Sequence, residues 1–137
     1  MGTVTQGIPG RVLLDTHALL WWVLDAPRIT PRADAVVRDG RTTVFVSAAS
    51  AWEVATKVRL GKLPWAAGLS ADFAAQLARE RFAELPVTVA HGQRAGALPG
   101  SHKDPFDRML IAQAQAENLA VVSNETLFDA FGITRIW

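Results

Sequence analysis

Cysteine is absent from all 137 residues, which excludes disulfides, thiolate metal sites and cysteine nucleophiles. No apolar run approaches the roughly 20 residues that a bilayer-spanning helix needs, so no membrane segment is expected. The opening MGTVTQGIPG has neither a charged leader nor an apolar core and does not resemble a secretory signal, which makes the cytoplasm the expected compartment. Histidine is sparse, with three residues at positions 17, 91 and 102 that are too dispersed to form a metal set. A surplus of charge is missing too. Fourteen Lys and Arg face 13 Asp and Glu, a formal net charge of +1, so any surface for nucleic acid must be local. Repeats, low-complexity tracts and linkers are also lacking. What remains is an ordinary globular composition, 50% hydrophobic and 20% charged, with the length of one domain. That domain is expected over 11–137, after a flexible extension over 1–10.

Within it, short apolar runs alternate with amphipathic stretches. Arg11–Leu14 (RVLL), Thr43–Ser47 (TVFVS) and Ala120–Ser123 (AVVS) read as buried strands, with Phe82–Val87 and Thr134–Trp137 as weaker ones. Helices are expected over Thr16–Leu24, Pro31–Asp39, Ala48–Leu60, Ser70–Arg81, Val89–Leu98, Asp104–Asn118 and Thr126–Phe131. Pro31 and Pro105 suit first helical positions, and Gly40 and Gly61 suit helix ends. Strands alternating with helices predict an α/β fold with a mostly parallel sheet covered on both faces. In such sheets sites form beyond the carboxyl ends of the strands.

That rule singles out a few acids. Asp25, Asp34, Asp39, Asp72, Glu80 and Glu117 fall at helix ends or on polar faces and read as solvated surface. Asp15 instead follows the first strand directly. Glu53 lies among Ala49, Trp52 and Thr56 in the helix after the second strand. Asp104 and Asp107 open a long helix, and Glu125 follows the AVVS strand by two positions. Each has a plain structural alternative. Asp15 and Asp104 are good helix caps, Asp107 completes a capping-box pattern, Glu125 suits a first turn and Glu53 an exposed helix face. In a parallel sheet, however, all of them share one rim. Carboxylates gathered there repel one another unless a cation is bound between them. Oxygen donors without Cys or clustered His select a hard ion, Mg²⁺ or Mn²⁺, which supports hydrolysis of phosphate esters.

The stretches LLDTHALLWW, SAASAWEVATK, HKDPFDRMLIAQA and VVSNETLFDAFG, in this order, resemble the acidic motifs of PIN-domain ribonucleases and, more narrowly, of VapC-type toxins of toxin–antitoxin pairs. The resemblance runs from Val12 to Trp137 and is most specific at HKDPFDR. It implies a three-layer α/β/α sandwich, Mg²⁺ or Mn²⁺, RNA cleavage, and a homodimer neutralised by a partner antitoxin. By motif match Asp15, Glu53 and Asp107 are its first three catalytic acids, with Asp15 and Asp107 as metal ligands and Asp104 and Glu53 as further candidates. Thr16 and Ser123 take supporting roles. The family usually places Thr-x-Asp after its fourth strand, whereas this chain has Ser123-Asn124-Glu125. Ser123 can supply the hydroxyl, and Glu125, the fourth acid, carries the charge on a longer arm.

Other residues are less decisive. Lys57, Arg59 and Lys62 follow Glu53, and Arg108 adjoins Asp107. Lys57 and Arg108 are candidates for phosphate contacts with RNA, although charged helix faces are usually just solvated. His17 is either a local hydrogen-bonding group or an orienter of phosphate, and His102 and Lys103 are either loop surface or RNA contacts. The five tryptophans read as core or interface in preference to base-stacking platforms. Trp21 and Trp22 cannot both face one core, so one of them marks a candidate dimer or antitoxin contact. Two rival functions exist. An aspartyl-nucleophile phosphatase needs a second acid two positions after the first, where His17 stands. A PIN-like interaction domain without catalysis is the stronger rival, since the fourth motif is altered.

Overall fold

The computed structural model describes residues 8–137, so most of the expected extension over 1–10 lies outside the described residues. Its last two positions are already anchored: the Pro9 carbonyl accepts from Thr42 Oγ1 at 2.8 Å and that of Gly10 from the Thr43 N–H at 2.9 Å.

Five strands form one sheet: β1 (Arg11–Leu14), β2 (Thr43–Ser47), β3 (Ala83–Leu85), β4 (Ala120–Val122) and β5 (Arg135–Ile136), in the order β3-β2-β1-β4-β5. Every pairing is parallel. Successive residues of β1 point to opposite faces, which is why its run is continuously apolar. Val12 and Leu14 join Val44, Val46 and Val122 in one core, under α1 (Thr16–Val23), α2 (Pro31–Arg38) and Leu77 of α5 (Phe73–Glu80). Leu13 joins Leu85 and Val121 in the other, under Leu110, Ile111 and Ala114 of α7 (Pro105–Glu117). Helices on both faces of a parallel sheet make the expected three-layer α/β/α sandwich. No helix among the described residues is long and apolar enough to cross a membrane.

Most helix ends follow local chemistry. Thr30 caps α2, its Oγ1 accepting from the Ala33 N–H at 3.1 Å, with Pro31 in the first turn. Ser47 caps α3 (Ala48–Arg59), and Gly61, at φ +76°, supplies the left-handed turn that follows it. Asp104 Oδ1 accepts from the N–H groups of Phe106 and Asp107 at 2.9 and 3.0 Å and so caps α7, which Asn118 ends in left-handed conformation. Two expectations need correction. The helix expected over Ser70–Arg81 is α4 (Ala67–Ala71) and α5, broken at Asp72; Gly68, Ser70 and Asp72 are all weak helix formers. The helix over Thr126–Phe131 is the tighter 3₁₀ form.

The strand order reverses at β1. The chain moves from β1 outward to β2 and β3, then returns to place β4 on the other flank of β1. The crevice at the carboxyl ends of β1 and β4 is therefore the switch point of the sheet, the usual location of a site in this architecture.

Arg108, one residue past Asp107 and a candidate for RNA contact, acts as a brace within the fold. Its guanidinium donates to the carbonyls of Ala95, Gly96, Leu98 and His102 at 2.8–3.3 Å. These bonds tie the end of α6 (Val89–Ala97) and the following loop to the start of α7. Its donors are largely taken by backbone, which leaves little to offer a phosphate. Replacing Arg108 with Ala should cost roughly 2–4 kcal/mol in urea unfolding, since several partly buried carbonyls lose a charged donor. Lys should restore only part of this, because a compact ammonium cannot reproduce the planar fork.

Candidate active site

Asp15 stands where β1 meets α1, with only 3% of its surface exposed. Its backbone N–H continues the sheet by donating to the Val122 carbonyl at 3.1 Å. Its carboxylate spans the switch point: Oδ2 accepts from Ser123 Oγ at 2.7 Å, and Oδ1 from the Thr16 N–H at 2.8 Å. Ser123, fully buried, also accepts the Glu125 N–H at 2.9 Å. One hydroxyl thus links the first acidic segment to the fourth. The Glu125 carboxylate is half-exposed and faces His17, with Oε1 3.9 Å from Nδ1.

Glu53 projects from α3 and is buried, 5% exposed, with its carboxylate held by Lys57 one turn further on. The ammonium that was a candidate for phosphate contact is therefore engaged with an acid. Burial disfavours the Lys57 charge, yet Glu53, Asp104 and Asp107 together hold its pKa above the ordinary lysine value. That influence places Lys57 and Glu53 on the same seam as the start of α7. There Asp104 is occupied with capping, while Asp107 Oδ2 takes a hydrogen bond from His102 Nε2 at 3.0 Å. Burial raises the Asp107 pKa, His102 opposes the shift, and the charges of Asp104 and Glu53 add to it. Burial likewise lifts Asp15 to about 6, against the Ser123 bond and His17 and with help from Asp107. Asp15 and Asp107 are therefore near enough to repel. The structure unites Asp15, Ser123 and Glu125 at the switch point and Glu53, Asp104 and Asp107 along the α3–α7 seam. No three of the described His, Asp and Glu residues are gathered closely enough to cage an ion as they stand.

Sequence reasoning missed Ser50, which is buried and bonded through Oγ to Thr16 Oγ1 at 2.8 Å. Its signal was available, as Ser50 lies three positions before Glu53 and shares its helix face. His102, a part-exposed loop residue for which loop surface or RNA contact was expected, also bonds to Asp107 and so orients it. Glu117 and Glu80, expected as solvated surface, hold a buried and a partly buried group: Glu117 accepts from His91 Nε2 at 2.8 Å and Glu80 from Trp22 Nε1 at 3.0 Å. Of the tryptophan pair, Trp22 packs on the core, whereas Trp21 lies outward between His17 and Trp137. A cavity of about 680 Å³ lined by Gly10, Arg11, Leu119, Gly132 and Thr134 opens at the amino ends of the strands, at the opposite end of the sheet from Asp15 and Ser123.

A family model for the PIN domain matches residues 12–133. The chain is a PIN domain. Ribonuclease VapC16 of Mycobacterium tuberculosis (strain ATCC 25618 / H37Rv) is 43% identical over 62 residues, which span 45% of this chain and 40% of that protein. Among solved structures, a chain of VapBC2 from Rickettsia felis, crystallised with a DNA fragment from its promoter, superposes with a TM-score of 0.67 at 16% identity. That match covers 91% of this PIN domain and 96% of the other chain. A toxin–antitoxin complex from Klebsiella pneumoniae gives 0.57 at 17%, covering 84% and 87%. At these identities the two structures establish a shared fold.

The buried Asp15 of this PIN domain makes a directional test possible. Its folded pKa, about 6, exceeds the ordinary value of 3.8, so the folded protein binds the proton more tightly than the unfolded chain. The stability this contributes is complete below about pH 4 and is lost as pH rises through about 6. Asp15→Asn, which keeps the shape without the charge, should raise stability at pH 7.5 by on the order of 2–3 kcal/mol. The gain should vanish near pH 4. Melting curves across that range, recorded with chelator, check it; an Asn variant less stable at pH 7.5 would show that Asp15 is stabilised by its charge.

Proposed function

We propose that this PIN domain is a divalent-metal-dependent endoribonuclease, the toxin of a toxin–antitoxin pair. The observation that carries the reading is the Asp15–Ser123 bond at the switch point of the sheet, with Asp107 close enough to perturb Asp15. The ribonuclease name of the Mycobacterium relative and the fold shared with chains of toxin–antitoxin complexes support it.

The donor set fits a hard cation. Its groups are carboxylates, and Asp15 and Asp107 each have a pKa raised by burial and by neighbouring negative charge, a pairing that Mg²⁺ or Mn²⁺ relieves. Asp15 and Asp107 would hold the ion, with Glu53, Asp104 and Glu125 adding negative charge around it. When bound, such an ion supplies a water of lowered pKa and positive charge for a phosphodiester under attack. The chain's own residues set the geometry. Ser123 and the Thr16 N–H fix both oxygens of Asp15, and His102 fixes one oxygen of Asp107. Lys57 restrains Glu53, and the half-exposed Glu125 reaches toward solvent beside His17. The bond from the serine hydroxyl of the altered fourth motif to Asp15 supports the reading of an active enzyme over an inert relative. The same reading assigns a homodimer and an antitoxin that covers the acidic rim, where an inserted guanidinium would match paired carboxylates.

Purified protein freed of any partner should cleave RNA with Mg²⁺ or Mn²⁺ and lose that activity in EDTA. Asp107→Asn should abolish both cleavage and calorimetric Mn²⁺ binding. His102→Ala should lower activity roughly 10–100-fold, the usual effect of removing the partner that orients a ligand. Glu53→Gln should lose most activity while remaining folded. Cleavage that survives EDTA, or proceeds at the wild-type rate in Asp107→Asn, would overturn the proposal.

A further inference from the structure

Trp52 is the most exposed aromatic residue on the acidic seam, with 61% of its surface open. It precedes Glu53 on α3, and its ring meets Phe106 of α7 in a T-shaped contact with centroids 4.8 Å apart. Phe106 in turn lies between Asp104 and Asp107. The seam that gathers the acids therefore also carries an aromatic pair. The other outward tryptophan near the carboxylates differs: Trp21 has Arg28 over its ring at 5.4 Å and is flanked by His17 and Trp137. Trp22 is likewise covered, by Arg38 at 4.6 Å. Trp52 is contacted at one side by Phe106, and no cation caps it among the described residues. A T-shaped contact fixes the indole while leaving a face open.

A group that covered an indole this exposed would gain from removing it from water. The surroundings indicate which group. Carboxylates suited to a cation and a phosphodiester lie on one side. Arg59 and Lys62, both exposed, lie further along the same helix and just past its end, suited to backbone phosphates of a strand crossing the seam. Leu60 and Trp65 are also exposed, at the end of α3 and beyond it, whereas acids edge the Trp52 indole itself. A nucleobase needs only a fixed flat face beside a phosphate site.

We propose that Trp52, braced by Phe106, is a base-stacking platform that seats one unpaired nucleotide of single-stranded RNA beside the scissile phosphate. The inference rests on the ribonuclease reading above and assigns a positioning residue within it. Stacking on an aromatic face tolerates any base, so the platform favours unpaired RNA over duplex without reading sequence. Its effect belongs to substrate binding more than to the chemical step.

The test compares wild type, Trp52→Ala and Trp52→Phe on a single-stranded RNA whose cleavage position has been mapped. Trp52→Ala should raise KM about tenfold with kcat changed by less than about threefold, and Trp52→Phe should recover most of the loss. Abasic nucleotides are then placed singly around the cleavage position. One of them should raise KM about tenfold for wild type and add nothing for Trp52→Ala, since both changes delete the same contact. An unchanged KM in Trp52→Ala, or additive effects of variant and abasic site at every position, overturns the platform while leaving the ribonuclease reading intact. A KM that stays unchanged while Trp52→Ala weakens self-association or antitoxin binding assigns the indole to a protein contact and also overturns it. Wild-type protein that neither binds nor cleaves RNA removes both readings together.

Discussion

A carboxylate at the end of a central strand has nowhere to go. Asp15 is fixed by the backbone of β1 at the switch point of the sheet, almost wholly out of water, and only a hydroxyl and one N–H meet it. Burial outweighs both, which leaves its acid form favoured up to about pH 6. The neighbouring architecture is arranged around that tension. Ser123 has a place only because β4 returns to the flank of β1, and Glu125 is positioned through the same hydroxyl. The parallel sheet thus converts segments far apart in sequence into neighbours, here across 108 positions.

The start of α7 shows how two acids on one helix acquire different duties. Pro105 leaves Asp104 just outside the helix, where its Oδ1 satisfies two backbone donors that would otherwise lack partners. Asp107, relieved of that task, is turned toward His102 and the seam. The positive end of the helix favours an ionised carboxylate there, while burial and the charges of Asp104 and Glu53 oppose it. Burial and the neighbouring charges prevail, so the Asp107 pKa is raised, and a positive charge placed nearby would favour the ionised form.

Much of this was legible from the residues. Strands β1, β2 and β4 announced themselves as apolar, β-branched runs, and the cap at Asp104 was expected from its side-chain chemistry and the proline after it. Strand–helix alternation led to one shared rim of acids, whereas the structure groups them at the switch point and along the α3–α7 seam. What stayed hidden depends on distance in space. That Arg108 faces carbonyls of α6, that His102 folds back onto Asp107, and that Trp22 turns inward to Glu80 while Trp21 does not are outcomes of packing between elements. The break at Asp72 was missed because apolar spacing continues through it and conceals the run of weak helix formers.

The two outer strands are very short: β3 has three residues and β5 two. An edge that brief offers few free N–H and C=O groups along a straight line, too few to recruit a strand from another molecule. Because the sheet ends this way on both flanks, close encounters between copies of this chain are steered away from backbone-to-backbone zippering. Association must then rely on side chains, whose identity evolution can tune, so the sheet itself is insulated from whatever assembly its surfaces adopt.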